Sequence, residues 1–153
     1  MNTPSNLKLI LCAALLATPL VLAAADQPTA QKAKAPHGGR LMDGATVRVE
    51  FLVKADQTVE VYLYDLKLKP VAPTDQTVSL ILQGKDGAKT KIDLGRGTEA
   101  FTSATPVAVL DGARAILAVK AGGKPENFRF DSVMGPCKGC KKPEYACDCD
   151  CAR

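Results

Sequence analysis

From Thr46 onward, apolar and polar residues alternate with a period of two. Val47, Val49, Phe51 and Val53 interleave with Thr46, Arg48, Glu50 and Lys54. Val59, Val61 and Leu63 interleave with Glu60, Tyr62 and Tyr64, and Val78, Leu80 and Leu82 with Thr77, Ser79, Ile81 and Gln83. Successive side chains of a strand point to opposite faces, so each run predicts a strand with one face on a core. Turn signals separate the runs: Ala55-Asp56-Gln57, residues 67–73 with Pro70 and Pro73, and Lys85-Asp86-Gly87. Further strands are predicted at residues 89–94, 105–110, 115–120 and 127–131, punctuated by Asp111-Gly112 and Gly122-Gly123. No stretch carries a convincing amphipathic-helix period. About seven short strands at this spacing predict an all-β chain, an immunoglobulin-like β-sandwich of two sheets, with a small barrel as the alternative. The chain has no Trp and few aromatics, so the core must be mainly Val, Leu, Ile and Ala.

The ends of the chain read differently. Lys8, the apolar residues 9–22 broken by Pro19, and Ala23-Ala24-Ala25 have the layout of a signal peptide over residues 1–25, cleaved before Asp26. The apolar run is short for a membrane span, and no later stretch could make one after the leader is removed. Residues 26–35 are polar and Ala/Lys-rich, a linker. Residues 36–132 carry the strand pattern and residues 133–153 a cysteine-rich tail. About 128 residues then remain for export, enough for one domain. An exported chain meets an oxidising space where disulfides persist. The formal charge of +4 is mild and spread along the chain. With no basic stripe and no interleaved aromatics, nucleic acid is excluded as a partner.

The chemistry is concentrated in the tail. Five of the six cysteines lie in Cys137-Lys-Gly-Cys140 and Cys147-Asp-Cys149-Asp-Cys151; the sixth, Cys12, falls in the leader. In extended backbone Cys147, Cys149 and Cys151 line one edge as three soft donors. Lys138, Lys141 and Lys142 favour thiolate there, while Asp148 and Asp150 oppose it. Pro143 and the polar spacers argue against packing, so the tail is expected to be flexible. Two chemistries stay open. Disulfides are one, although bridges inside the C-x-C-x-C run have poor geometry and an odd number of thiols leaves one over. A soft metal is the other: thiolates select Cu(I) or Zn, and a tetrahedral Zn site would use four of the five. The spacing matches no standard zinc-finger pattern.

His37, the sole histidine, precedes Gly38-Gly39, which allow a sharp turn or a close approach. It is a secondary ligand candidate or a solvated side chain. Asp43, Glu50, Asp56, Glu60 and Asp65 read as solvated strand faces and turns. There is no G-x-S-x-G, no P-loop and no dinucleotide fingerprint, and one histidine supports no Ser-His-Asp set. The C-x-x-C pair lacks the helix start that lowers a thiol pKa in oxidoreductases. The chain is therefore read as non-enzymatic.

Pro36-His-Gly-Gly-Arg-Leu41, Val47-Arg-Val-Glu-Phe51, Val59-Glu-Val-Tyr-Leu-Tyr-Asp65, Lys69-Pro-Val-Ala-Pro73 and Phe128-Arg-Phe-Asp-Ser132, in this order, resemble the N-terminal domain of periplasmic adaptor subunits, the membrane-fusion components of cobalt–zinc–cadmium heavy-metal efflux pumps. The resemblance spans residues 36–132. It implies an immunoglobulin-like sandwich in the periplasm, connected with metal handling. Family members often carry a later Pro-His-Ser-Phe run; the segment here is Asp111-Gly-Ala-Arg-Ala115, so no second histidine is present. The chain looks like the module standing alone with a cysteine tail added. The expected function is periplasmic buffering, sequestration or delivery of a soft ion, with Cys137, Cys140, Cys147, Cys149, Cys151 and His37 as ligands and an envelope metal-efflux complex as partner. The alternative is a non-catalytic envelope interaction module whose tail cysteines form disulfides.

Overall fold

A computed structural model describes residues 33–108, 111–123 and 125–149. The leader, most of the linker, and Cys151 lie outside the described residues. Ten strands are present among them: β1 Arg40–Asp43, β2 Arg48–Val53, β3 Val59–Tyr64, β4 Pro70–Val71, β5 Thr77–Gln83, β6 Lys89–Ile92, β7 Leu94–Arg96, β8 Ala100–Ser103, β9 Ala113–Lys120 and β10 Glu126–Ser132. They form two antiparallel sheets. One runs β1-β2-β3-β8-β7 with β4 on the end of β3; the other runs β10-β9-β5-β6. The chain is thus an all-β sandwich with its cysteine-rich segment at the C-terminus, as the alternation predicts. No helix among the described residues is long and apolar enough to cross a membrane.

The inward faces are the expected ones. Val49 and Phe51 of β2, Val59, Val61 and Leu63 of β3, Leu80 and Leu82 of β5, and Ala115, Leu117 and Val119 of β9 are buried together with Phe101, Phe128 and Phe130. Each large side chain removed from water contributes roughly 1.5–3 kcal/mol. The β2–β3 register, Phe51 opposite Val61 and Val49 opposite Leu63, sets these side chains on one face.

The strand expected at residues 105–110 does not form over 105–108. Pro106 has no backbone N–H to give a ladder. Val107 is nonetheless buried, and its N–H donates to the Gln57 carbonyl at 3.0 Å. Its apolar character therefore reports a packed loop. The partner of β3 on that side is β8, with Val61 opposite Phe101. Four residues were too few to show alternation.

The C-terminal segment also departs from expectation, because it is docked on the domain. Tyr145 is buried and sits edge-to-face on Phe51, ring centroids 5.9 Å apart at 86°. Its hydroxyl accepts from the Val53 N–H at 2.9 Å, and its carbonyl accepts from Arg40 Nη1 at 3.0 Å. The Arg40 guanidinium in turn lies over the Phe130 ring, 5.2 Å from the centroid. One aromatic residue among cysteines and lysines is enough to pin the segment to the core.

Candidate metal centre

The route from β10 to the cysteines is fixed by backbone hydrogen bonds. Met134 N–H donates to Asp111 Oδ1 at 2.9 Å, Tyr145 N–H to the Val133 carbonyl at 2.9 Å, and Glu144 N–H to the Gly135 carbonyl at 2.8 Å. Pro136 and Pro143 face each other as an isolated antiparallel bridge. Between them the chain makes a tight loop: Cys137 N–H donates to the Lys142 carbonyl at 2.7 Å, and Lys141 N–H to the Cys137 carbonyl at 3.1 Å. Lys141 takes φ +63° to close it. A single 3-10 turn, Glu144–Ala146, follows and delivers Cys147, whose N–H donates to the Glu144 carbonyl at 3.2 Å. The loop presents Cys137 and Cys140; the 3-10 turn presents Cys147 and Cys149 beside them.

The four sulfurs of Cys137, Cys140, Cys147 and Cys149 all lie within 4.8 Å of one another. Cys147 Sγ is 3.0 Å from that of Cys149, 3.2 Å from that of Cys137 and 3.6 Å from that of Cys140; Cys137 and Cys149 are 3.6 Å apart. Four thiolates at about 2.3 Å from a tetrahedral Zn would sit about 3.8 Å apart. The set therefore fits one ion after small outward shifts. Cys137, Cys140 and Cys147 carry thiols. Cys149 is disulfide-bonded, so it joins a four-thiolate set only once reduced. The expected i, i+2 edge is real for Cys147 and Cys149; Cys151 lies outside the described residues.

Electrostatics at the cluster differ from the lysine-driven picture. The Cys137 thiol is lowered to about 7, chiefly by the backbone amide of Cys140, then by the Cys147 thiol and the Gly139 amide. Sulfur held by N–H donors is stabilised as thiolate. The Cys147 thiol moves the other way, up to about 11, because it hydrogen-bonds to Cys137. Lys142 is engaged elsewhere, with Asp148 at 3.0 Å.

His37 is not in this cluster. It belongs to a separate polar network built on Glu50, whose side chain is fully buried in β2. Glu50 accepts from the N–H of His37 (2.9 Å) and of Gly39 (2.8 Å) and from the Tyr64 hydroxyl (2.7 Å). His37 Nδ1 lies 3.1 Å from Glu50 Oε2 and 2.9 Å from the Tyr64 oxygen. With the Tyr64 proton committed to the carboxylate, Nδ1 must carry the donor hydrogen, leaving Nε2 as the basic nitrogen. The ring stacks on Tyr62 at 3.8 Å and 13°. The two glycines have distinct reasons. Gly38 adopts φ +82°, and a Cβ on Gly39 would meet the Phe51 carbonyl oxygen at 2.4 Å.

Glu50 differs from the solvated strand face its sequence position predicts, because it is fully buried. Alternation puts it on the outer face of β2, as predicted, but the residues 36–39 cover that face. Asp56 and Asp65 fit better, accepting from backbone N–H groups of their own turns, and Asp43 pairs with Arg48 at 2.8 Å; Glu60 is largely covered rather than solvated, accepting from Lys54 at 3.0 Å and from the Tyr62 hydroxyl at 2.7 Å. No family model, curated protein or solved structure matches the chain, so the geometry of its own residues carries the functional argument.

Proposed function

We propose that the chain is a periplasmic protein that binds a soft metal ion, Cu(I) or Zn, and buffers, sequesters or delivers it in association with heavy-metal efflux. The observation that carries this reading is the convergence of four cysteine sulfurs within 4.8 Å on an anchored loop and turn. Thiolate sulfur is the donor preferred by Cu(I) and Zn over oxygen-seeking cations. Export is supported by the leader pattern of residues 1–25, and efflux by the resemblance of residues 36–132 to adaptor domains. His37, held by Glu50 away from the cysteine set, is assigned a structural role here, although its Nε2 remains a donor.

The test is metal competition under anaerobic, reducing conditions, with Cu(I) and Zn chelators in separate arms. Cys137→Ser with Cys147→Ser should weaken binding by more than the roughly 10–100-fold typical of losing an outer-shell partner, while His37→Ala should leave it near the parent value. A double-serine variant that competes as well as the parent would overturn the reading. The disulfide at Cys149 favours a second reading, an envelope interaction module with oxidised cysteines. Thiol titration with and without reductant, alongside elemental analysis, separates the two: metal with accessible thiols supports the first, neither supports the second.

A further inference from the structure

The lysines and arginines are dispersed along the sequence, but the strand registers gather five of them on one surface. That surface is the outer face of the β10-β9-β5-β6 sheet, opposite its core side. One row crosses it completely: Arg129 is opposite Ile116, Ile116 opposite Ile81, and Ile81 opposite Lys91. The row beside it carries Arg114, Gln83 and Lys89, and Lys120 ends β9. The five cations are exposed, whereas Ile81, Ile116 and Ala118 are half-buried in the middle of the sheet. Two acids share the face, Asp131 with Arg114 at 3.1 Å and Asp93 with Lys91 at 3.2 Å. Both pairs are exposed, so they hold weakly and can exchange partners. Five cations against two acids leave a net +3 here, out of a formal +4 for the whole chain.

We propose that this face docks an extended acidic segment of a partner protein. The segment lies across the strands, with an apolar side chain on Ile81 and Ile116 and carboxylates on Arg129 at one margin and Lys89 and Lys91 at the other. The inference goes beyond the metal-binding reading and does not rest on it.

The dimensions select the occupant. Arg129 and Lys91 are three strand spacings apart, about 14 Å. In an extended peptide, residues i and i+4 are also about 14 Å apart. Residue i+2 lies between them and points the same way. A pattern of acid, apolar and acid at every second position therefore matches the cation–isoleucine–cation row. Seven-residue strands make the face about 23 Å long. Such an area falls well short of the roughly 800 Å² per partner of a standard globular interface, which favours a short segment. A second copy of this chain brings the same cations and is repelled. A membrane surface needs apolar side chains that stand clear of the sheet, and these isoleucines are half-buried.

The experiment titrates the isotope-labelled full chain, reduced and metal-free, with a peptide whose core is Glu-Thr-Leu-Thr-Glu. Backbone amide shifts are followed by NMR; the threonines favour extended backbone. Shifts should cluster at residues 79–83 and 114–118 and leave β2 and β3 unmoved. A Gln-Thr-Leu-Thr-Gln peptide should bind roughly threefold to tenfold more weakly at low ionic strength, and the gap should close at about 0.5 M salt. Ile81→Thr with Ile116→Thr keeps β-branched residues on the face and should weaken binding severalfold. The comparison of the two peptides stands even if that variant folds poorly. No shift at millimolar peptide, shifts centred on another face, or equal binding of the two peptides overturns the proposal. Cosedimentation with phosphatidylglycerol vesicles in place of peptide binding also overturns it and makes the face a membrane contact. Because the chain is metal-free throughout, this reading and the metal centre fail separately.

Discussion

Replacing Tyr145 should destabilise the whole sandwich, although the residue lies outside every strand. Two substitutions separate its contributions. Tyr145→Phe keeps the ring against Phe51 but removes the oxygen that accepts the Val53 N–H at 2.9 Å. A buried donor left without its acceptor costs about 1–3 kcal/mol. Tyr145→Ala removes the ring as well, uncovers Phe51 and leaves a cavity; large aromatic-to-alanine changes in cores cost about 3–5 kcal/mol. A domain of this size has roughly 5–15 kcal/mol in total, so the alanine variant should still fold but with a much lower midpoint. Deleting residues 135–153 should cost at least as much as Tyr145→Ala, which runs against the expectation of a flexible, unpacked tail. The assay is urea unfolding followed by far-ultraviolet circular dichroism, in reductant and without metal. Cys137→Ser serves as the control, since it removes a sulfur and leaves the anchor. If Tyr145→Ala unfolds within about 0.3 kcal/mol of the parent, the ring is not seated on Phe51 in solution and the docking argument fails.

The tyrosines give a pH prediction. The chain has three, and all are raised: Tyr62 to about 12 by burial and then by its hydrogen bond to Glu60, Tyr64 far above the usual phenol range by burial and then by Glu50, and Tyr145 by burial. A raised pKa contributes stability that is fully present below the ordinary value near 10 and is lost as pH climbs through the folded value. Absorbance near 295 nm should therefore rise at higher pH than for the unfolded chain; a titration of all three at the ordinary value near 10 would contradict the placement of these rings. Glu50→Ala should cost about 3–5 kcal/mol by chemical denaturation, because the His37 and Gly39 amides and the Tyr64 hydroxyl lose their acceptor together; a loss below about 1 kcal/mol would mean water replaces the carboxylate freely. Mass spectrometry of exported protein should find a new N-terminus within a residue or two of Asp26; retention of Met1 would remove the case for a leader.

The period-two pattern was enough to place β2, β3, β5, β9 and β10 and most of the core, because inward positions such as Phe51, Val61 and Leu117 are large, apolar and correctly phased. It was not enough for β1, β4, β7 and β8, whose two to four residues are shorter than a recognisable alternation. Glu50 departs from the sequence expectation for a different reason. A strand pattern says which face a side chain takes, and only the path of the preceding loop says whether that face meets water. The cysteine spacing pointed to Cys137, Cys140, Cys147 and Cys149 but not to their grouping. That grouping depends on the Lys141 turn and on Tyr145, and a lone tyrosine in a polar segment gives little sign of being buried.

The position of Tyr145 also bears on how a flexible-looking sequence can hold a metal. Cys147 is two residues from it, and the amide bonds at Val133 and Gly135 fix the other side. The entropy of gathering Cys137, Cys140 and Cys147 is thus largely met by docking on the sandwich, before any ion arrives. Pre-paid ordering of this kind raises affinity without a new contact. Linkage works in the opposite direction as well. An ion that binds only the gathered sulfurs stabilises the docked segment, and through Tyr145 on Phe51 it stabilises the core, by an amount set by its concentration relative to its dissociation constant. The cysteine segment and the sandwich are therefore linked thermodynamically, and an ion bound at the gathered sulfurs would be coupled to the fold through the Tyr145 ring and the hydrogen bonds around it.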